Sequence, residues 1–138
     1  SLGNSLSKVF QWMTKDNIPK VNPQDSLRSC VIKMSSGRLG AVILVEKSQI
    51  KGIFTDGDLR RLFEKRESFD TLLDEKIVNV ANKNPKTLNQ DDLASFAIGK
   101  METNAITVMP VVNNKNNLVG IIHLHSLVQA GTGVVNEK

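Results

Sequence analysis

Tyrosine is absent from this 138-residue chain, and tryptophan and cysteine occur once each. A single cysteine, Cys30, excludes an intrachain disulfide framework and a thiolate metal cluster. Its setting, "SLRSCVIKM", has a helical pattern and reads as a half-buried structural thiol rather than a nucleophile. Aromatic residues make up 4% of the chain and do not alternate with basic ones, so a base-stacking platform for single strands is not expected. The net charge of +4 is scattered, and the Arg60–Arg61 pair is too short for a nucleic-acid footprint. No apolar run approaches the roughly 18 residues of a membrane span. The opening "SLGNSLSKVF" lacks a basic stretch followed by an apolar one, so a cytoplasmic protein is expected. What remains, with 40% hydrophobic and 23% charged residues, is an ordinary globular composition that excludes disordered and collagen-like classes.

The chain says one thing twice. "PKVNPQDSL" from Pro19 answers "PKTLNQDDL" from Pro85, an offset of 66 (19 to 85). "IKGIFTDGDL" from Ile50 answers "LVGIIHLHSL" from Leu118, an offset of 68 (50 to 118) that sets Gly52 against Gly120. Each half carries a polar Pro/Asn segment and then a helical pattern, "NPQDSLRSCVIKM" or "LNQDDLASFAIGKM". A β-branched run follows, "GAVILVE" or "TVMPVVN", of the kind buried on both faces. A turn then leads to a second strand, "KGIFT" or "VGIIH", and a closing helix. The order is β-α-β-β-α, repeated, giving an α/β (α+β) chain with two small sheets. Neither half alone is large enough to bury its helix faces well. The expected divisions are 1–15 as linker and lead-in helix, 16–66 as first repeat, 67–82 as inter-repeat linker and 83–138 as second repeat. Val9, Phe10 and Met13, at helical spacing, are read as part of the first half, and Trp12 as packing.

The stretch "GIFTDGDLRR" ends a strand and starts a helix. Free N–H groups and the positive end of the helix dipole favour phosphate and carboxylate groups at such a junction. An aspartate there either caps the helix or accepts hydrogen bonds from a ribose diol, and Asp56 and Asp58 offer two where one cap would do. Thr55 adds a hydroxyl, and Gly57 lets the backbone turn closely. Of the adjacent Arg60 and Arg61, one is expected to face the site. No Ser-His-Asp, Cys-His or carboxylate pair has a spacing suited to catalysis, so this stretch of chain is not expected to be an enzyme.

The order β-α-β-β-α twice over, with "GIFTDGD" closing the second strand, resembles a tandem pair of cystathionine β-synthase (CBS) domains. That resemblance implies two repeats packed about a pseudo-twofold axis, with clefts that bind nucleotides, typically adenosyl compounds. It assigns Thr55 and Asp58 to phosphate and ribose. "GIFTDGDLRR" with "GIIHLHSLVQAG" is similar, more specifically, to the C-terminal regulatory half of D-arabinose 5-phosphate isomerases, which feed bacterial Kdo synthesis. "SLGNSL" resembles the end of the linker that leaves their sugar-isomerase domain.

The resemblance implies a regulatory module of a parent isomerase whose catalytic domain lies outside this chain. Its partners would be that sugar-isomerase domain and a second copy, with no nucleic acid and no membrane. No cofactor is required. The expected regulatory ligand is CMP-Kdo, favoured by feedback logic, or AMP, ADP or ATP; a ligand-free dimerisation domain is the alternative.

The second motif departs from the first. His123 stands at the Thr55 position and Ser126 at the Asp58 position, where the family usually has an acidic residue. The expected binding residues are thus Thr55, Asp56, Asp58, Arg61, His123, His125 and Ser126, with at most one of the two histidines facing a given site. Two histidines without a carboxylate or cysteine at ligand spacing do not make a metal site.

Overall fold

A computed structural model describes residues 6–65 and 68–132; the "SLGNS" segment and Arg66–Glu67 lie outside the described residues. The chain divides into two compact units. One, the inner unit, is Pro19–Pro85; the other, the outer unit, joins the residues up to Ile18 with those from Lys86 onward.

In the inner unit the order is β1 (Lys20–Val21), α1 (Leu27–Gly37), β2 (Ala41–Glu46), β3 (Gln49–Thr55), α2 (Asp56–Lys65) and α3 (Phe69–Leu73), ending with a 3-10 turn at Ile77–Asn79. The outer unit starts with a 3-10 turn at Val9–Gln11 and resumes with β4 (Leu88–Asn89), α4 (Ala94–Thr103), β5 (Val108–Val112), β6 (Leu118–His123) and α5 (Leu124–Thr132). The expected order β-α-β-β-α is present in both. Each sheet has three strands, β1-β2-β3 and β4-β5-β6, with the first pair parallel and the second antiparallel. Among the described residues no helix is long and apolar enough to cross a membrane.

Both central strands are buried nearly throughout, as continuous β-branched runs require: Ala41 to Leu44 and Val108 to Val112 are all inside. On the inner unit's sheet lie Leu27, Cys30 and Met34 of α1, one helical face at i, i+3 and i+7. The equivalent stripe on α4 is Ala94, Ala97 and Met101. Burial pushes the Cys30 thiol up to about 11, with the charge of Asp25 adding to it, so it packs as a small apolar group. Trp12 is indeed a packing residue: it lies against the outer core and donates from Nε1 to Ser7 Oγ at 3.0 Å.

The loops ahead of α1 and α4 share one hydrogen-bond pattern. Asn22 N–H donates to Asp25 Oδ2 and Gln24 N–H to Asn22 Oδ1, at 3.0 and 2.9 Å. Asn89 N–H donates to Asp92 Oδ2 and Asp91 N–H to Asn89 Oδ1, both at 2.9 Å. The structural offset here is therefore 67 (22 to 89), not the 66 that the two prolines suggest.

Two expectations are corrected. The lead-in does not belong to the first half: Val9 is fully buried in the outer core, and its N–H donates to Asp92 O at 2.9 Å. Nor is 67–82 merely a polar connection, because Leu72 and Ile77 are fully buried in the inner core. Each sheet needs an apolar cover near its helix start. In each unit that cover comes from the segment leading into the other unit's repeat.

Candidate functional site

β3 ends at Thr55 and α2 starts at Asp56 with no intervening loop. The first turn of α2 therefore needs its caps from the motif itself. Thr55 Oγ1 accepts from Asp58 N–H at 3.2 Å, and Asp58 Oδ2 accepts from Thr55 N–H at 2.9 Å. This reciprocal pair is a capping box with aspartate as the returning residue. The other oxygen of Asp58, Oδ1, accepts from Arg61 Nη2 at 2.6 Å. Asp58 is three-quarters buried on its side chain and Arg61 mostly exposed, so the pair sits at the rim of the junction.

Asp56 does different work. Its N–H donates to Gly40 O at 2.9 Å, and its carboxylate lies over Gly40, where an added Cβ would come within 2.9 Å of Oδ2. Gly40 also has φ +68°, so only glycine suits this position on both counts. The sequence reading missed Gly40. Its signal is the pairing itself: the outer unit has Thr107 there and Leu124 at the Asp56 position, with the same backbone bond at 2.8 Å.

Both arginine side chains reach back over Gly57, and of the two it is Arg61 that bonds Asp58 at the junction. A Cβ on Gly57 would lie 3.5 Å from Arg61 Nη2 and 3.7 Å from Arg60 Nη2. The long side chains wrap the first turn, which the spacing of Cα positions alone does not reveal.

The second junction is built differently. β6 ends at His123 and α5 starts at Leu124. His123 Nδ1 accepts from His125 N–H at 3.1 Å and so caps the start of α5. Residues two apart on a strand would share a face. What separates the two imidazoles is the end of the strand: His123 is half-buried at its last position, and His125 is exposed on α5. Ser126 is half-buried and gives no counterpart to the Asp58 carboxylate. The seven expected residues thus fall into two groups, Thr55, Asp56, Asp58 and Arg61 in the inner unit and His123, His125 and Ser126 in the outer. Among the described residues no group of three His, Cys, Asp or Glu side chains is placed to hold a metal ion.

A family model for the CBS domain matches residues 7–65 and 77–133. The chain belongs to the CBS-domain family. Its two CBS repeats also align with arabinose 5-phosphate isomerase KdsD of Francisella tularensis, 40% identical over 131 residues and covering 94% of this chain. The chain spans 39% of that relative's length. Among solved structures, the CBS domain pair of protein MJ0100, in complex with 5′-methylthioadenosine and S-adenosyl-L-methionine, superposes with a TM-score of 0.79 at 18% identity, covering 93% of this chain and 98% of that one. The CBS domain protein PAE2072 of Pyrobaculum aerophilum, complexed with AMP, gives 0.78 at 19% identity over 91% and 99% of the two chains. These likenesses establish the shared CBS fold.

Proposed function

We propose that this CBS pair is the ligand-sensing regulatory part of an arabinose 5-phosphate isomerase of Kdo and lipopolysaccharide biosynthesis. It works in the cytoplasm beside a sugar-isomerase domain and pairs with a second copy. The reading is carried by the 40% identity to KdsD across 94% of the chain. The capped junction at Thr55–Asp58 supports it. The ligand is a nucleotide or nucleotide-sugar, CMP-Kdo or an adenine nucleotide; the MJ0100 and PAE2072 pairs hold adenosyl compounds and AMP. The Thr55 hydroxyl donates to a phosphate at the positive end of α2, Asp58 accepts from the ribose hydroxyls, and Arg61 neutralises charge. Asp58 Oδ1 then exchanges its exposed Arg61 partner for a ribose hydroxyl. Binding favours one arrangement of the pair, and the attached domain feels it as a coupling free energy.

A thermal-shift panel with CMP-Kdo, CMP, AMP, ADP, ATP and S-adenosylmethionine tests this reading. A ligand of the folded state at a hundredfold excess over Kd adds about 2.7 kcal/mol, which moves the melting temperature by several degrees. The shift must shrink in Asp58→Ala, which weakens binding. No shift with any compound favours a second reading, a dimerisation domain without ligand. One observation already leans that way: both Asp58 oxygens have protein partners, and the outer junction has no carboxylate.

A further inference from the structure

The two 3-10 turns are counterparts, and their hydrogen bonds match one for one. In the outer unit Val9 N–H donates to Asp92 O, Phe10 N–H to Gln90 O and Ala94 N–H to Ser7 O. In the inner unit Ile77 N–H donates to Asp25 O, Val78 N–H to Pro23 O and Leu27 N–H to Glu75 O. A few residues on, each segment lies along the last strand of its unit. Thr14 and Ile121 exchange two bonds of 2.8 and 3.0 Å, and Asn82 and Ile53 exchange two of 3.0 and 2.9 Å.

Ile121 and Ile53 each stand two residues ahead of the capping residue of their junction, His123 or Thr55, on the same strand. The preceding residue is glycine in both cases, and the connecting segment occupies the space of its missing side chain, with the Met13 side chain and Thr14 O at Gly120 and with backbone at Gly52. A Cβ on Gly120 would lie 2.5 Å from Met13 Sδ and 3.0 Å from Thr14 O; one on Gly52 would lie 2.8 Å from Asn82 O.

We propose that each candidate site is coupled to the connecting segment built into its own unit, so that the two sites answer to different parts of the chain. The His123–Ser126 junction answers to residues 6–14, upstream of the first repeat, and the Thr55–Asp58 junction to residues 75–82, between the repeats. The physical link is one strand in each unit that carries both the doubly bonded bridge and the cap. Releasing the bridge frees the strand's end and with it the first turn of the following helix. By reciprocity, a ligand that tightens a junction tightens its bridge. Resting on the regulatory reading above, this makes the outer junction the one that addresses polypeptide joined ahead of Leu6, and the inner junction the one that tunes the inter-repeat segment.

Amide hydrogen exchange on the 138-residue chain tests the coupling without ligand. The reporters are Leu124 and Asp56, whose N–H groups make equivalent bonds to Thr107 O and Gly40 O. Gly120→Ala is expected to speed exchange at Leu124 and His125 by about tenfold and to leave Asp56 and Asp58 unchanged. Gly52→Ala is expected to do the reverse. Acceleration of both junctions by either variant, or release of Thr14 with Leu124 unmoved, overturns the proposal. Should Gly120→Ala not fold, Val9→Ala loosens the same segment by removing buried methyl groups and carries the same expectation. With AMP as probe at the Thr55–Asp58 junction, added protection at Asn82 with Thr14 unchanged is expected. Failure of AMP to bind would count against the nucleotide reading alone, since the exchange pattern of the variants is read without it.

Discussion

Replacing Asp58 by alanine separates what this side chain does for the fold from what it does for a ligand. The substitution removes the acceptor of Thr55 N–H and the partner of Arg61. Losing the returning half of a capping box costs about 1 kcal/mol. An ion pair with one largely exposed partner adds about 0.3 kcal/mol. The expected loss is thus about 1.3 kcal/mol, or about 5 °C in Tm for a unit of this size. Asp58→Asn keeps an oxygen for Thr55 N–H and loses the charge, so it should recover most of that stability while weakening nucleotide binding. Urea unfolding followed by far-UV circular dichroism, with and without AMP or CMP-Kdo, measures both quantities. If Asp58→Ala is as stable as the parent, or Asp58→Asn as unstable as alanine, the capping argument is wrong. If either variant binds nucleotide with parental affinity, the site assignment is wrong.

Leu72→Ala should cost about 3 kcal/mol in urea unfolding, because Leu72 is fully buried in the inner core; a side chain in a mere linker would cost almost nothing. Ser48→Gly and Ala105→Gly should each raise stability by up to about 1 kcal/mol, since Ser48 has φ 66° and Ala105 φ 54°; a loss in either would show that its left-handed backbone carries no strain. Stability should fall as pH rises from 9.0 toward 11. The unfolded Cys30 ionises in that range while the folded thiol, raised to about 11, keeps its proton. The loss is at most about 3 kcal/mol and should be missing in Cys30→Ala, as read by urea titrations across the alkaline range.

Much of this was legible because it is local. Continuous β-branched runs name β2 and β5, helical spacing names α1 and α4, and "FTDGD" names a strand that becomes a helix without a loop. The reciprocal bonds of Thr55 and Asp58 follow from a three-residue spacing that any helix start brings together. The approach of Asp56 to Gly40 was not legible, because sixteen residues separate them (40 to 56) and only the β2–β3 pairing brings them together. The reach of Arg60 back to Gly57 was missed for another reason: it depends on side-chain torsions that residue spacing leaves free.

The repeat, the element order of each half and the chemistry of the two junctions are written in the chain, since these rest on periodicity, on cap spacing and on which residue types stand at a helix start. Which segment completes which unit is settled by folding. Val9 and Ile77 are equivalent apolar residues ahead of equivalent repeats, and either could cover either sheet as far as hydrophobicity is concerned. The choice is made by backbone hydrogen bonds to partners far along the chain, Thr14 with Ile121 and Asn82 with Ile53, at glycines that leave room for them. Such pairings are non-local, so no pattern within either segment records them.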